Sequence, residues 1–381
     1  MTFILKKHGE PIPVLIIDLI SYCNLNCVMC PQSAINRNEK YRGVMDFELY
    51  KKIIDELAAP PQKARVIIPF WNGEPVLYPH FKQAVIYAGE KKRQNPEAWE
   101  VWSLHSNFTL INNEIAEAII DSELFGPITV SLDACSESVY KKIRVGGDFN
   151  NTISNIKEFI KIRNSKKKQF PSLVMQFIVM DENVAETENF VNFWKAEFDK
   201  YGIKPKIVWD EAGGFEKDTI FIRRMMADKF EKQQHYDEIH KKVLADMNFI
   251  NGESTEKTFI SSEFDSENTE KNEKRREPCV GLWQHFGIRY DGEVSACCRD
   301  FRCEMSIGNI NKNSIWELWN SEKLKQFRLY HIAGKFNLVK ICKYCPGQPF
   351  GQMTKEITES YTDSIDKKSQ FKKDIDEIWK S

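Results

Sequence analysis

The chain has 381 residues with 54 basic and 55 acidic side chains, and 42% of its residues are hydrophobic. This composition is ordinary for a globular protein, and the balanced charge argues against an extended basic surface for nucleic acid or an anionic membrane. No apolar run approaches the roughly 20 residues that span a bilayer, and residues 1–13 lack the apolar centre of a secretion signal. We therefore expect a cytoplasmic protein whose ten cysteines bind metal rather than form disulfides.

Three cysteines lie close together after the first apolar run. Val14 to Ile20 is short and rich in branched aliphatic residues, which predicts a buried strand. Cys23, Cys27 and Cys30 follow with Cys-x3-Cys-x2-Cys spacing. A cubane iron–sulfur cluster normally takes four thiolates, so three on one loop would leave one iron open to a chelating ligand. From the residues alone, a zinc site or a redox dithiol stays an open alternative.

Beyond this loop, the sequence alternates between helix and strand signals. Asp46 is a candidate N-cap for a helix whose apolar residues recur at helical spacing. Further strands are predicted at Ala64 to Phe70, Trp99 to His105, Ile128 to Leu132, Leu173 to Val179 and Lys206 to Trp209. Strands that alternate with helices predict an α/β domain with a parallel sheet, in which ligands bind at the carboxyl ends of the strands.

The cysteine spacing resembles the signature of the radical S-adenosylmethionine (SAM) enzymes. In that family, the open iron of a [4Fe-4S] cluster holds SAM by its amino and carboxylate groups and cleaves it reductively to a 5'-deoxyadenosyl radical. The resemblance implies a partial (β/α)6 TIM-like barrel and a flavodoxin- or ferredoxin-type electron donor. It also implies iron ligation by Cys23, Cys27 and Cys30.

Residues at the predicted strand ends resemble the family's SAM contacts. Asn72-Gly73-Glu74-Pro75 resembles the Gly-Gly-Glu-Pro motif, whose backbone accepts hydrogen bonds from the SAM ammonium group. Asparagine replaces the first glycine here, and asparagine tolerates unusual backbone angles better than most residues. The other contacts that the resemblance implies are Ser131 to the ribose, Arg144 to the carboxylate and Gln176 to an unspecified part of SAM.

Several of these residues also have simpler interpretations. Ser131 could cap a helix, and Arg144 could be a solvated surface side chain. Asp133 is a candidate catalytic acid or base for the substrate, or only a charge at a helix N-terminus. Cys135 could donate a hydrogen atom to a substrate radical, but a buried inert thiol is the favoured interpretation.

The character of the chain changes between residues 211 and 277. Residues 217–247 are charged and predicted to be helical, with His235 and His240 on a solvated face rather than bound to metal. Residues 251–277 are polar and predict a mobile connection. At the C-terminus, residues 353–381 suggest an amphipathic helix.

A second cysteine group follows this connection. Gly287 to Ala296 predicts a β-hairpin around Asp291-Gly292, and the adjacent Cys297 and Cys298 come next, so that either could be the ligand. A tryptophan-bearing helix then precedes a Cys-x2-Cys pair, a spacing that by itself favours zinc over iron. The predicted ligands are Cys279, Cys297, Cys342 and Cys345.

This order of cysteines, hairpin and helix resembles the Twitch domain, the shortened form of the SPASM extension of radical SAM enzymes. The resemblance implies one auxiliary [4Fe-4S] cluster held by four cysteines, and therefore two clusters in total. We predict an N-terminal segment (1–12), a radical SAM partial barrel (13–210) and a helical and polar connection (211–277). A small α+β auxiliary-cluster domain (278–348) and a helical tail (349–381) follow.

Three hypotheses for function follow from these features. The auxiliary cysteine spacing most resembles Twitch proteins that oxidise an aminocyclitol, so the first is two-electron oxidation of a sugar-like alcohol, with the auxiliary cluster as electron acceptor. The second is modification of a ribosomal peptide by epimerisation or crosslinking. The third is a zinc-stabilised binding protein without radical chemistry. The expected partners are thus a sugar-like small molecule or a peptide, without nucleic acid or membrane.

Overall fold

The computed structural model describes residues 12–35, 41–59, 63–209, 216–226, 230–251, 278–343 and 345. Within these ranges, ten strands form one sheet. The strands are β1 (Ile12–Ile17), β2 (Ala64–Ile68), β3 (Trp99–Ser106), β4 (Phe125–Ser131), β5 (Ser172–Val179), β6 (Lys206–Trp209), β7 (Thr219–Arg224), β8 (His285–Ile288), β9 (Glu293–Ser295) and β10 (Ser306–Asn309).

Helices connect and cover these strands. They are α1 (Gln32–Ile35), α2 (Phe47–Ala58), α3 (Phe81–Gln94), α4 (Asn113–Ser122), α5 (Glu137–Ile143), α6 (Phe149–Ser165), α7 (Thr187–Asp199), α8 (Phe230–Asn251), α9 (Gly281–Gln284), α10 (Ile315–Trp319), α11 (Glu322–Ile332) and α12 (Lys340–Lys343). No helix in the described ranges is long and apolar enough to cross a membrane.

The central strands run parallel in the spatial order β1-β2-β3-β4-β5-β7. Every connection from β1 to β5 contains a helix, as a parallel pair requires. The predicted N-cap of α2 is confirmed, since the Asp46 side chain accepts hydrogen bonds from two backbone N–H groups. The α/β fold with a parallel sheet is therefore confirmed, and the carboxyl ends of its strands converge on one edge.

The sixth position of the parallel sheet differs from the prediction. Lys206–Trp209 is the last strand that we predicted, but β7 lies beside β5 and β6 pairs only with the outer side of β7. Asp218 anchors β7, because its carboxylate binds both terminal nitrogens of the buried Arg163 at 2.7 and 2.8 Å. The same carboxylate accepts the Leu173 N–H at 2.7 Å, at the start of β5. The prediction of helix over residues 217–247 was wrong where β7 lies, because the flanking charges concealed its apolar run, whereas α8 agrees with it.

The predicted hairpin of the second cysteine group is confirmed. Strands β8 and β9 pair antiparallel around Gly292, whose φ of +84° is a conformation that favours glycine. The sequence did not indicate where the hairpin would lie. Strand β8 pairs parallel with β1, with Val14 opposite His285, so the second cysteine group extends the same sheet. The predicted polar connection and C-terminal helix lie outside the described residues.

Candidate functional site

The first three cysteines lie on a loop that starts near the end of β1. Cys27 is buried, whereas Cys23 and Cys30 are partly exposed. Two turns tighten the loop, because Cys30 N donates to the Cys27 carbonyl at 3.2 Å and Ser33 N donates to the Cys30 carbonyl at 3.1 Å. The predicted iron ligands are thus gathered beside the carboxyl ends of the strands.

Two of these sulfur atoms accept hydrogen bonds from nitrogen. The donors are Leu25 N (3.4 Å) and Asn107 Nδ2 (3.6 Å) to Cys23, and Arg144 Nη1 (3.4 Å) to Cys27. Burial raises the pKa of the Cys30 thiol, and the backbone N–H groups of Gln32 and Ser33 oppose that shift. Such donors stabilise a thiolate, the form that binds metal. Burial, followed by the nearby Glu74 carboxylate, raises the pKa of the Cys23 thiol to about 12, so a bound cation is needed to hold this sulfur as thiolate at neutral pH.

The geometry fits a cluster better than a single ion. In the part of the chain that is described, no three His, Cys, Asp or Glu side chains are close enough to share one metal ion. A cubane cluster does not require the thiolates to meet at one metal ion, because each thiolate binds a separate iron at its own corner. The three thiols lie close enough to influence one another electrostatically, and nitrogen donors stabilise two of them, so these residues are compatible with three corners of such a cluster.

Gly73 lies directly against the cysteine loop. A Cβ atom at this position would lie 2.2 Å from the Ile20 carbonyl oxygen and 2.4 Å from the Tyr22 carbonyl oxygen. Both are backbone atoms, so any side chain here would displace the loop. The next residue tightens the contact further, since Glu74 N donates to the Tyr22 carbonyl at 3.1 Å.

The Asn72 side chain is part of a buried hydrogen-bond chain. Asn72 N donates to Asp18 Oδ1 at 2.9 Å, and Asn72 Nδ2 donates to Asp18 Oδ2 at 3.2 Å. The Ser21 hydroxyl also donates to Asp18, and Gln32 Nε2 donates to Asn72 Oδ1 at 2.9 Å. Asparagine therefore has specific partners in the place where the family motif has glycine.

The Glu74 carboxylate organises the carboxyl end of β3. It accepts hydrogen bonds from Ser106 Oγ and from Asn107 N, both at 2.8 Å. Asn107 Nδ2 also reaches Asn24 Oδ1 in the cysteine loop, at 2.9 Å. Burial raises the pKa of Glu74 to about 7. The carboxylate of this predicted SAM-binding residue thus binds protein donors that hold the loop in place.

Asp133 and Arg144 form a buried ion pair beside Cys27. Asp133 Oδ2 accepts from Arg144 Nη2, and Oδ1 accepts from Ile178 N at 2.7 Å. Arg144 Nε is buried without a partner among the described residues. Both carboxylate oxygens are thus occupied, and these contacts make Asp133 a positioning residue for Arg144 rather than the open acid or base that we predicted.

The other predicted SAM contacts lie along neighbouring strand ends. Ser131 on β4 and Gln176 on β5 are register partners, and Arg223 on β7 donates to Gln176 Oε1 at 3.2 Å. His105 stacks on Phe70 with ring centroids 5.4 Å apart. Burial, together with Arg223, lowers the pKa of His105 to about 4, so its imidazole is neutral at pH 7.

His331 joins two predicted ligands of the second cysteine group. Cys279 N donates to His331 Nδ1 at 3.2 Å, and His331 Nε2 lies 3.3 Å from Cys342 Sγ. Cys345 N in turn donates to the Cys342 carbonyl at 3.3 Å. A hydrogen bond from the adjacent Cys298 thiol lowers the pKa of Cys297.

Trp71 connects the two cysteine groups. Its indole N–H donates to the Cys298 carbonyl at 2.7 Å, and its ring packs with Val14 and Ile16 on one side of the sheet, where Cys303 also lies. Because Trp71 immediately precedes Asn72, one residue contacts the auxiliary cysteine segment while the next belongs to the predicted SAM motif.

Sequence reasoning missed four residues of these sites: Gln32, His105, Arg223 and His331. Gln32 follows the cysteine motif by two residues, and His105 ends a predicted strand, so their positions were available as signals. Arg223 lies on the strand that was mistaken for helix. Nothing local in the sequence distinguishes His331 from a surface histidine of helix α11.

Comparison with known proteins agrees with this arrangement. Residues 17–193 match the radical SAM superfamily, and residues 279–346 match the SPASM iron–sulfur cluster-binding domain. This chain is a radical SAM enzyme with a C-terminal auxiliary-cluster domain. The radical SAM domain implies a [4Fe-4S] cluster and SAM, and the SPASM domain implies additional cluster binding.

Curated relatives match part of this radical SAM enzyme. A GTP 3',8-cyclase of Clostridium botulinum (strain Okra / Type B1) is 26% identical over 205 residues, which are 54% of this chain and 58% of the relative. A tungsten-containing aldehyde ferredoxin oxidoreductase cofactor-modifying protein of Pyrococcus furiosus is 26% identical over 183 residues, or 47% of each chain. The matched part thus spans less than two thirds of these relatives.

Solved structures share the fold over more of the chain. His-tagged anSMEcpe with bound AdoMet superposes with a TM-score of 0.57 at 19% identity, covering 98% of this chain and 96% of that one. SuiB of Streptococcus suis bound to S-adenosylmethionine gives a TM-score of 0.54 at 15% identity, covering 92% and 74%. At these identities, the likeness establishes the fold alone.

Proposed function

We propose that this enzyme carries out the two-electron oxidation of a sugar- or aminocyclitol-like alcohol, with an auxiliary [4Fe-4S] cluster as electron acceptor. Two clusters in total would be present, one held by Cys23, Cys27 and Cys30 and one held by the second cysteine group. A flavodoxin- or ferredoxin-type protein would supply the first electron, which primes the enzyme.

The contact of Trp71 with the Cys298 carbonyl carries this proposal. Trp71 contacts the auxiliary cysteine segment, and Gly73, two residues later, lies against the loop of the first cysteine group. An electron leaving a substrate held near the strand ends would therefore have a short path to the auxiliary site. A structural zinc ion at the second site could not accept this electron, because zinc has no redox chemistry.

The residues around the strand ends have separate roles in this proposal. Gly73 and Arg144 would bind the amino acid part of SAM, and Ser131 and Gln176 would line the space beside it. The neutral His105 would accept a hydrogen bond from the hydroxyl group of the alcohol, and the hydroxyl proton would leave to solvent water, because an imidazole with a pKa of about 4 is too weak a base to keep it at pH 7. When bound, SAM supplies a radical that removes a hydrogen atom from carbon.

The overall change balances without a further oxidant. The alcohol carbon loses one hydrogen atom to the deoxyadenosyl group, and the remaining substrate radical loses one proton and one electron to become a ketone. One SAM is consumed for each ketone formed. The electron recovered at the auxiliary site equals the electron spent in cleaving SAM, so external reductant is needed only to prime the enzyme.

The test compares wild type with Cys342→Ala, using oxygen-free protein and a panel of aminocyclitols, amino sugars and nucleotide sugars deuterated at the alcohol carbon. Wild type should move deuterium into 5'-deoxyadenosine and form one ketone per 5'-deoxyadenosine. The Cys342→Ala variant should keep 5'-deoxyadenosine formation and lose the ketone. Cys303→Ala, a change in the same segment at a cysteine without a predicted ligand role, is the control.

Other outcomes would overturn the proposal. An unchanged ketone yield in Cys342→Ala would exclude the auxiliary electron acceptor. Deuterium transfer from GTP or from a peptide, with none from any alcohol in the panel, would replace the substrate class. Abundant zinc without iron or labile sulfide would exclude radical chemistry altogether.

A further inference from the structure

A buried relay of polar side chains lies below the cysteine loop. It runs from Ser21 and Asp18, near the end of β1, through Asn72 to Gln32, and all four side chains are buried. Each step is a hydrogen bond between side chains. Such a network is specific only when the donors and acceptors are ordered along it.

The order of donors and acceptors follows from Asp18. Its two carboxylate oxygens accept hydrogen bonds from Asn72 N, from Asn72 Nδ2 and from the Ser21 hydroxyl. The amide nitrogen of Asn72 therefore faces Asp18, which leaves its oxygen to face Gln32. That oxygen accepts from Gln32 Nε2 at 2.9 Å, so the free end of the relay is the Gln32 amide oxygen, an acceptor.

This terminal oxygen has no partner within the described protein. Gln32 is only 4% exposed, and its Oε1 is buried without any hydrogen bond. Buried polar atoms are almost always paired in folded proteins, and an exception suggests a missing ligand. The same residue follows Cys30 by two positions, so the unpaired acceptor belongs to a residue beside a predicted iron ligand.

The chemistry of the relay selects the kind of group that can complete it. An acceptor oxygen would oppose the SAM carboxylate and attract a donor. The strongest donor at the amino acid end of SAM is the α-ammonium group, because a hydrogen bond to a charged group is stronger than one between neutral groups. The ribose hydroxyls and the adenine amino group are weaker donors.

We propose that Gln32 Oε1 accepts a hydrogen bond from the α-ammonium group of SAM, and that Asp18 and Asn72 are positioning residues that fix the orientation of its amide. The proposal rests on the proposed function only in requiring that the chain binds SAM. It also gives Asn72 of the Asn-Gly-Glu-Pro segment a role. The Asn72 side chain bonds to both Asp18 and Gln32, and a glycine there would have no side chain to fix the orientation of the Gln32 amide.

The experiment measures binding rather than turnover. Reconstituted, oxygen-free protein is titrated with SAM and with 5'-methylthioadenosine, which has the same adenosine but no amino acid part. Gln32→Met keeps the shape of the side chain without an acceptor oxygen, and should weaken SAM binding by about tenfold or more while leaving 5'-methylthioadenosine binding unchanged. Gln284→Met, at another buried glutamine, is the control for loss of an amide.

A second variant protects the test against loss of the cluster. In Gln32→Glu, the side chain keeps an acceptor oxygen at its end, so SAM affinity should stay within about threefold of wild type. Iron and sulfide content, and the change in the electron paramagnetic resonance signal of the reduced cluster on adding SAM, report on the site independently of activity.

The outcomes separate the two proposals. If wild type with an intact cluster fails to bind SAM, the proposed function fails before Gln32 is considered. If wild type binds SAM and Gln32→Met binds it equally well, the role of Gln32 is overturned. Equal weakening of SAM and 5'-methylthioadenosine would also overturn it, as would a large loss of SAM affinity in a cluster-containing Gln32→Glu variant.

Discussion

The two cysteine groups differ in how their surroundings are assembled. The first has three thiols on one loop, and a charged guanidinium from Arg144 contacts Cys27. The second is spread from Cys279 to Cys345, and a neutral donor, His331, bridges its distant parts. In the proposed function, the cationic neighbour of the first site would also attract the carboxylate of SAM. A second site with four cysteine ligands and neutral hydrogen bonds would suit storage of one electron.

The largest expected effect breaks the first site without touching the second. In Gly73→Ala, the new methyl group would displace the backbone of the cysteine loop, and a displacement of about 1 Å can cost about 100-fold in rate. We expect 5'-deoxyadenosine formation to fall by at least about 100-fold, measured by chromatography. Gly89→Ala is the control, because a Cβ atom there would lie 3.3 Å from its nearest neighbour, the Ser122 carbonyl oxygen. This variant should retain activity. Equal losses of activity in the two variants would contradict the role of Gly73.

The next prediction tests whether the Asp133–Arg144 pair contributes to SAM binding or only to the stability of the fold. Removing one partner of a buried ion pair typically costs about 3–5 kcal/mol, so Asp133→Ala should lower the free energy of unfolding by that amount in denaturant titrations. The buried Arg163–Asp218 pair is the matched control. Asp218→Ala should be similarly destabilising but preserve SAM affinity, whereas Asp133→Ala should lose it.

The relay below the first site should make stability depend on pH. Burial raises the pKa of Asp18 from 3.8 to about 6, so the folded state binds a proton more readily than the unfolded state between those values. The contribution of Asp18 to stability is therefore greatest below pH 4 and falls as pH rises to 6, by about 3 kcal/mol at about 1.4 kcal/mol per pKa unit.

The measurement compares wild type with Asp18→Asn across this range. The asparagine in this variant does not titrate, so the variant does not lose this contribution as pH rises. The free energy of unfolding of the variant minus that of wild type should therefore increase by about 3 kcal/mol between pH 4 and pH 6 and stay constant above pH 6. A difference that does not change with pH would show that Asp18 keeps an ordinary pKa.

The smallest effect concerns the second site alone. His331 Nδ1 accepts the Cys279 N–H, so the proton of its neutral imidazole lies on Nε2, which faces Cys342 Sγ. Hydrogen bonds to cluster sulfurs set the reduction potential, and their removal favours the oxidised cluster. His331→Phe should therefore shift the auxiliary potential to more negative values in a redox titration. Phe336→Leu alters the packing against the same imidazole and should leave the reduction potential unchanged. Equal shifts of the potential in both variants would show that packing, and not the hydrogen bond, sets it.

Much of the first site could be predicted because its signals are local. The cysteines share one loop, and Asn72-Gly73-Glu74 and Ser131 each follow an apolar run of recognisable length. The helix cap at Ser136 also placed Arg144 one short helix after Asp133. The contacts between these residues could not be predicted, because each joins different strand ends that meet only in the folded sheet.

The sequence by itself determined the alternation of strands and helices, the two cysteine sets and the family, since these depend on spacing along the chain. Tertiary structure decided that β7 lies beside β5, that β8 extends the sheet from β1, and that His331 reaches Cys342. It also decided that Asp133 faces Arg144 and that the Gln32 amide ends a relay. These outcomes depend on burial and on hydrogen bonds between segments that are far apart in the sequence. A local sequence pattern does not specify which distant partner a side chain will meet.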